Sequence, residues 1–210
     1  MVNRKSALNL IFVLLVCLAG LVVLAKQPQQ RNYLDILRVF WSELYPDGGS
    51  TLYCGTRFEP FDRQVNVEHV YPMSWVTRAL KCGNRDQCRR NSDRFNLIES
   101  DMHNLHPARK DVNKTRGSFP YSMIEGEQHE YRGCDFEVDY RSRKVEPRPE
   151  ARGRIARSMM YMQREYGLDI YGRQQRMLEQ WHRQYPPDDE ERRRNLIIER
   201  VQGNANPYIR

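Results

Sequence analysis

The sequence predicts an α+β fold, mainly helical, with a small antiparallel sheet in a single domain. Three observations support it. Apolar residues at helical spacing fill most of the chain after residue 150, a polar–apolar alternation typical of a strand occupies residues 64–69, and no shift in composition divides the chain. A length of 210 residues is sufficient for one hydrophobic core.

The first 25 residues have the pattern of an export signal. Arg4 and Lys5 precede an apolar run from Leu8 to Leu24, and the small residue Ala25 provides a cleavage site. The run is also nearly long enough to span a bilayer, so an uncleaved anchor is the alternative, and residues 8–24 would then contact the membrane. Either case predicts a periplasmic or secreted protein whose domain covers residues 26–210.

The chain is basic, which restricts the classes of partner. The formal net charge is +7, and it becomes +5 when the two cations of residues 1–25 are removed. A basic exported chain favours a polyanionic partner, with nucleic acid first and a membrane surface second. A solvated basic surface without a specific partner would have the same composition.

Four cysteines follow the export segment, and an even number in an exported chain predicts two disulfides. Cys82 and Cys88 flank Gly83-Asn84 and can close a local loop, which leaves Cys54 to pair with Cys134. A zinc site is the alternative, but the spacing contains no Cys-x-x-Cys pair.

The first half of the domain mixes a helix, a strand and irregular segments. Four apolar residues predict one stripe of a helix that Pro46 and the following Gly48-Gly49 end: Leu34, Leu37, Trp41 and Leu44. The alternation from Gln64 predicts a strand that ends before Pro72. Residues 101–105 are predicted to begin a helix that Pro107 interrupts and that resumes over residues 108–113.

The second half predicts one further strand region at residues 131–140 and three helices. The apolar faces expected for the helices are Ile155, Met159, Met162 and Tyr166, then Met177, Trp181 and Tyr185, and finally Leu196, Ile197 and Val201. Gly167 is placed to end the first helix. Asp188 and Asp189 begin the third helix, where acidic side chains favour the positive end of the helix dipole.

The chemically suggestive residues lie between Asn66 and Asn113. Glu68-His69 combines an oxygen ligand for a hard divalent cation with a histidine whose ordinary pKa near 6.5 suits a general base. Asn113 offers a neutral oxygen ligand, and Arg85, in the Cys82–Cys88 loop, can hold a phosphate by a bidentate fork. Glu-His alone is a weak signal, because strand histidines paired with carboxylates are usually structural.

Five longer motifs make the sequence resemble the endonuclease I family of periplasmic and secreted bacterial nucleases, in the His-Me finger superfamily. They are Val67–Trp75, Glu99–Pro107, Val112-Asn113 with Arg116-Gly117, Ala151–Arg157 with Tyr161-Met162, and Val201–Ile209. The resemblance covers nearly all of the chain from Tyr53 onward. It implies that the α+β domain is built around a ββα-metal motif.

The resemblance also implies a role for each candidate residue. His69 is the general base on water, Glu68 and Asn113 bind one Mg²⁺ (with Mn²⁺ or Ca²⁺ as substitutes), and Arg85 contacts the phosphate. Cleavage of DNA, with RNA as a further candidate substrate, would leave 5′-phosphate ends and depend little on base sequence. The same four cysteines look like two bridges of the family.

Two other function classes remain as alternatives. One is an exported, non-catalytic nucleic-acid-binding protein, which would retain DNA without cutting it. The other is a secreted zinc hydrolase, which lacks support because no His-Glu-x-x-His pair is present. His103 and His106 are expected to support the site as polar neighbours rather than to bind metal.

Overall fold

A computed structural model of the chain describes residues 32–126 and 131–210, so the export segment and the apolar run at residues 8–24 lie outside the described residues. The helices are α1 (Tyr33–Val39), α2 (Met73–Leu80), α3 (Arg85–Asn91), α4 (Asp93–Glu99), α5 (Lys110–Arg116), α6 (Pro149–Tyr166), α7 (Gly172–Gln184) and α8 (Asp189–Gln202). The strands are β1 (Gly49–Ser50), β2 (Arg57–Phe58), β3 (Val65–His69), β4 (Leu105–Arg109), β5 (Phe136–Asp139) and β6 (Lys144–Pro147). None of the helices in the described ranges is both long and apolar enough to cross a membrane.

The described strands form three separate two-stranded antiparallel sheets, β1–β2, β3–β4 and β5–β6. The predicted mainly helical α+β class is therefore confirmed. In the central sheet, β3 and β4 pair from Val65 opposite Arg109 to His69 opposite Leu105, and α5 begins at the next residue, Lys110. Two strands and a helix thus form a ββα unit, with α2, α3 and α4 inserted between its strands.

The helix predicted at residues 101–105 is wrong. Met102–Asn104 form a short 3₁₀ turn, and Leu105 begins strand β4. Pro107 lies inside that strand, opposite Val67. The strand tolerates Pro107 because the sheet has only two strands, so a backbone nitrogen on the open edge needs no hydrogen for strand pairing. The carbonyl oxygen of Pro107 accepts a hydrogen bond from the Leu52 N–H at 2.7 Å.

The helix at the start of the domain is confirmed, and its predicted apolar face is confirmed at Leu44 but wrong at Leu34. The buried residues are Ile36, Phe40 and Leu44, and Leu34 is 64% exposed. The helix widens into a π-helical turn over Phe40–Leu44, which keeps residues four apart on one side. This side packs in a small core with Val65 and Leu105 of the ββα unit.

The apolar face predicted for α8 is also wrong. Leu196 is 65% exposed and Val201 is 38% exposed. The helix instead buries Ile198 together with polar side chains, among them Arg194, Asn195 and Gln202. Arg194 donates hydrogen bonds to the carbonyl oxygens of Met102 and Leu105, so a polar face is satisfied inside the protein.

The other two C-terminal helices follow the sequence pattern. α6 buries Ile155, Met159 and Met162 in the larger core and ends at Gly167, whose φ of +64° gives the left-handed cap that glycine favours. α7 buries Trp181 against the same core. α6 and α7 pack against each other and contribute to the larger core, whereas α1 contributes to the smaller one.

Both predicted disulfides are present. Cys54 pairs with Cys134, 80 residues away, and Cys82 pairs with Cys88, six residues away. The first joins the segment before β3 to the start of the β5 region. The second ties the end of α2 to α3, so that it fixes the helix that carries Arg85.

Removal of the longer disulfide should destabilise the protein more than removal of the shorter one. Loop-closure entropy predicts losses of about 4 kcal/mol for Cys54→Ser with Cys134→Ser and about 2 kcal/mol for Cys82→Ser with Cys88→Ser. Urea unfolding of the two double variants measures both values. An equal loss in the two variants would contradict the entropic account.

Candidate active site

One cavity of about 650 Å³ collects all four residues singled out from the sequence. Glu68 and His69 reach it from the end of β3, Asn113 from α5, and Arg85 from the first turn of α3. The N-terminus of α2, at Met73 and Ser74, forms another part of the wall. The ββα unit and the disulfide-tied helix therefore meet at one place.

Neighbouring side chains of a regular strand point to opposite faces, yet Glu68 and His69 both line the cavity. Strand β3 ends at His69, and Asn104 directs the chain beyond it. The Asn104 side chain accepts a hydrogen bond from the Tyr71 N–H at 2.6 Å and donates one to the Tyr71 carbonyl at 3.0 Å, while its own carbonyl accepts from the Val70 N–H at 3.0 Å. Asn104 thus extends the pairing past the last regular residue and sets where the chain turns.

His69 is held in one tautomer. Its Nε2 lies 3.0 Å from the carbonyl oxygen of Glu99. Because a carbonyl oxygen only accepts, Nε2 carries the proton, and Nδ1 is the nitrogen left to take one. The Tyr33 ring of α1 packs on the imidazole with ring centroids 5.2 Å apart. Burial, and then the charge of Arg85, lower the pKa of His69 from 6.5 to about 4, so the ring is neutral at pH 7.

The carboxylate of Glu68 is buried beside two donors. Its Oε1 accepts a hydrogen bond of 2.6 Å from the Tyr53 hydroxyl and lies 2.9 Å from Nη1 of Arg116. Burial raises the pKa of Glu68, and Arg116 and the Tyr53 hydrogen bond oppose that rise. The positive partner therefore favours the ionised form that a metal ligand needs.

Asn113 is oriented by its amide nitrogen. Nδ2 donates to Oδ1 of Asn66 at 2.9 Å and to the carbonyl oxygen of Val67 at 3.3 Å. The Val67 carbonyl can only accept, which places the nitrogen toward β3. The side-chain oxygen of Asn113 is therefore the atom turned away from the strand, in a residue that lines the cavity.

Arg85 belongs to a charge cluster with Arg89 and Glu99. Glu99 has a fully buried side chain, and its oxygens lie 2.5 Å from Nε of Arg85 and 2.8 Å from Nε of Arg89. Both guanidinium groups lie 5.6 Å from the centre of the Tyr33 ring. Arg85, Arg89 and Glu99 together carry one net positive charge, and the exposed Asp86 carboxylate lies 3.6 Å from Nη1 of Arg89. Arg85 is therefore the cation of this cluster that lines the cavity and suits an anion.

The donor set fits a hard divalent cation. Among residues 32–126 and 131–210, no group of three or more histidines, cysteines or acidic residues could hold a metal ion. The cavity instead offers the carboxylate of Glu68 and the amide oxygen of Asn113. Mg²⁺ usually binds through one or two protein oxygens and keeps several waters, which is the set that these two side chains offer.

The two further histidines of the matched motif lie in the protein interior and are not among the residues that line the cavity. Nε2 of His103 is 3.0 Å from the carbonyl oxygen of Asn204, and Nε2 of His106 is 3.1 Å from the Ser158 hydroxyl. They join the ββα unit to α6 and to the C-terminal segment, which is the supporting place expected from the sequence.

Several residues of the site had no signal of their own in the sequence. Tyr33 lies in α1, Arg89 is one arginine among many, and Tyr53 is distant in sequence from β3. Arg116 is part of a matched motif without an assigned role. Only folding shows that these side chains surround Glu68, His69 and Arg85.

The two antiparallel strands and the helix that gather a histidine, a carboxylate and an amide in one cavity have the arrangement that defines the class of the ββα-metal nucleases. Comparison with known proteins identifies the family. The family Endonuclease I matches residues 34–210, so the chain belongs to the endonuclease I family and is an endonuclease.

Individual relatives agree with this assignment. Two proteins of Aeromonas hydrophila named extracellular deoxyribonuclease are 39% and 36% identical over 171 and 193 residues, which cover 80% of this chain in each case and 74% and 85% of the relatives. A periplasmic deoxyribonuclease of the same organism is 33% identical over 218 residues, which cover 90% of this chain and 92% of the relative. These names confirm the predicted periplasmic or secreted location.

Glu99→Gln should weaken the protein most at neutral pH. Burial alone would raise the pKa of Glu99, but Arg89 and Arg85 outweigh it and hold the pKa below its ordinary value. A depressed carboxylate pKa contributes stability above the unfolded-state pKa, near 4.3, and this contribution is lost as the pH falls through the folded-state pKa. The stability gap between wild type and variant should therefore shrink between pH 6 and pH 3.

Urea unfolding at several pH values measures this gap. Glu199→Gln on α8 is the control, because it removes an exposed carboxylate that forms no ion pair with an arginine in the described part of the chain. If the stability difference between wild type and Glu99→Gln stays constant down to pH 3, Glu99 is not the ionised partner of Arg85 and Arg89.

Proposed function

We propose that this endonuclease is a magnesium-dependent enzyme that hydrolyses the phosphodiester bonds of DNA with little sequence preference and leaves 5′-phosphate ends. RNA is a further candidate substrate. The observation that carries the proposal is the meeting of four groups in one cavity: a neutral histidine, a cationic arginine cluster, a carboxylate and an amide oxygen. The deoxyribonuclease names of the relatives support DNA as the substrate.

His69 would act as the general base. Its Nδ1 is free to accept a proton because Nε2 donates to the Glu99 carbonyl. The lowered pKa keeps the ring neutral, and water is the group that it would deprotonate for attack on phosphorus. The Glu99 carbonyl then faces the N–H of the imidazolium that forms, and so helps to stabilise its positive charge.

Arg85 would bind a non-bridging oxygen of the phosphate, on which negative charge increases during attack. Its guanidinium is preorganised by Glu99 and by the Tyr33 ring, so that little reorganisation is needed when the substrate binds. Arg89 is held by the same carboxylate and adds positive potential next to it.

Glu68 and Asn113 are the residues that would hold the cation. When bound, Mg²⁺ supplies Lewis-acid stabilisation of charge on the phosphate and the leaving oxygen. The chain's own contribution is to place the carboxylate and amide oxygens in the same cavity as His69. Mn²⁺ or Ca²⁺ could occupy the same oxygen ligands.

Contacts to the phosphate backbone carry no base information, so a basic cavity with this chemistry needs no sequence readout. The alternative, a binding protein without catalysis, would use the same basic surface. It gives no reason for a desolvated neutral histidine beside a carboxylate and an arginine cluster, so the site favours the enzyme.

Purified, oxidised protein should convert supercoiled plasmid to nicked and linear products in Mg²⁺, and EDTA should abolish the reaction. His69→Ala should lower the cleavage rate at least 100-fold, the usual scale for loss of a general base, with DNA affinity nearly unchanged. His182→Ala, at a partly exposed histidine of α7, is the matched control and should cleave like wild type. Intact plasmid with the wild-type protein in Mg²⁺ would refute the proposed activity.

Arg85→Ala should lower kcat/KM by about 100-fold, the scale expected when one preorganised charge donor is removed. Arg90→Ala removes the same charge from the same helix, at an exposed side chain that does not line the cavity, and should stay within a few-fold of wild type. Steady-state cleavage of a short duplex measures both. Equal losses would show that Arg85 acts only through the general basic charge.

A further inference from the structure

Two side-chain donors to the Glu68 carboxylate end on the same oxygen. The Tyr53 hydroxyl lies 2.6 Å from Oε1, and Nη1 of Arg116 lies 2.9 Å from that atom. The His69 backbone N–H is a further hydrogen-bond donor to this carboxylate. Neither side-chain donor ends on Oε2, so Oε2 is the oxygen that these two side chains leave for another partner.

Arg116 is anchored by more than this ion pair. Its side chain is 1% exposed. It donates from Nη1 to the His69 carbonyl at 3.1 Å and from Nη2 to the Val70 carbonyl at 2.6 Å, and its guanidinium lies 4.7 Å from the centre of the Tyr121 ring. The planar guanidinium of Arg116 therefore fixes the Glu68 carboxylate relative to the end of β3. Arg116 belongs to α5, the helix that also carries Asn113.

Tyr53 and Tyr121 extend this hydrogen-bond network. Tyr53 has one hydroxyl proton, and it goes to the Glu68 carboxylate, which can only accept. In the 2.7 Å contact between the two hydroxyl groups, Tyr121 is therefore the donor to Tyr53, and its one proton is shared with the Val70 carbonyl oxygen, which lies 3.3 Å away. The hydrogen bonds therefore run from Tyr121 through Tyr53 to Oε1 of Glu68, and all three side chains are buried.

We propose that Arg116 and Tyr53 are positioning residues of the metal site, which hold Oε1 of Glu68 so that Oε2 alone binds the divalent cation. The inference rests on the proposed function for its relevance to catalysis. Its direct consequence is that loss of either residue lowers the affinity of the protein for a metal ion. Partners that orient a ligand in this way typically change metal affinity 10–100-fold when they are removed.

A purely structural role would give a different result. If Arg116 and Tyr53 only stabilised the fold, their loss would lower the free energy of unfolding and leave the metal affinity of the folded protein unchanged. Tyr53→Phe is the sharpest variant, because it removes one hydroxyl group and keeps the buried ring. Tyr161→Phe is the matched control, since its hydroxyl is also buried but bonds to Asp101, in a separate network.

Mn²⁺ binding to DNA-free protein, followed by the EPR signal of free Mn²⁺, is the test. Tyr53→Phe should bind Mn²⁺ about 10-fold more weakly than wild type, and Tyr161→Phe should bind within two-fold. In cleavage assays, Tyr53→Phe should need a correspondingly higher Mn²⁺ concentration for half-maximal rate and recover most of kcat at saturation. Arg116→Lys keeps the positive charge but loses the planar guanidinium that reaches several acceptors, so it should weaken Mn²⁺ binding at least as much.

The outcomes separate this inference from the proposed function. Unchanged Mn²⁺ affinity in folded Tyr53→Phe, equal weakening in Tyr161→Phe, or wild-type affinity in Glu68→Gln would overturn the inference even if plasmid is cut. If wild type binds Mn²⁺ with the predicted variant effects but does not cut nucleic acid, the proposed function fails while the positioning role stands.

Discussion

The site depends on the buried ion pair between Arg116 and Glu68. Two charges removed from water carry a large desolvation cost, which close geometry and additional hydrogen bonds must offset. Both conditions are met, because Arg116 also donates to two carbonyl oxygens at the end of β3 and Glu68 also accepts from Tyr53. The pair connects α5 to β3, so the helix that carries Asn113 and the strand that carries Glu68 cannot shift independently. Loss of one partner would leave the other charge buried and unpaired.

A second buried carboxylate at the cavity follows the same physical rule. The buried Glu99 carboxylate holds Arg85 and Arg89, while the Glu99 main chain accepts the His69 N–H. A single residue at the end of α4 therefore positions both His69 and Arg85. The Cys82–Cys88 disulfide restrains the helix that carries Arg85. The charged side chains that line the cavity thus depend on hydrogen-bond and ion-pair partners that do not line it themselves.

The points at which prediction failed have a common cause. Apolar spacing assumes that a helix buries its apolar side, yet α8 turns Arg194 and Gln202 inward, where they bond to the backbone and side chains of residues 101–105. The same segment was predicted as helix, because Asp101 and Pro107 have the pattern of a helix start and a break. Long-range pairing with β3 overrides that local preference. Leu34, expected in the core, is exposed because the π-helical turn places Ile36, Phe40 and Leu44 against the ββα unit.

Local sequence alone was sufficient for the helices α6 and α7, for strand β3 and for the pairing of the cysteines, because spacing, caps and an even cysteine count are short-range or countable signals. The long motifs were sufficient for the family and for Glu68, His69, Arg85 and Asn113 as candidates. Tertiary structure decided which nitrogen of His69 is free, which oxygens of Glu68 and Asn113 are available, and that Tyr33, Tyr53, Arg89 and Arg116 are their partners. These are contacts between residues distant in the chain, and only the packing of α1, α3 and α5 around β3 brings them within hydrogen-bonding or ring-contact distance.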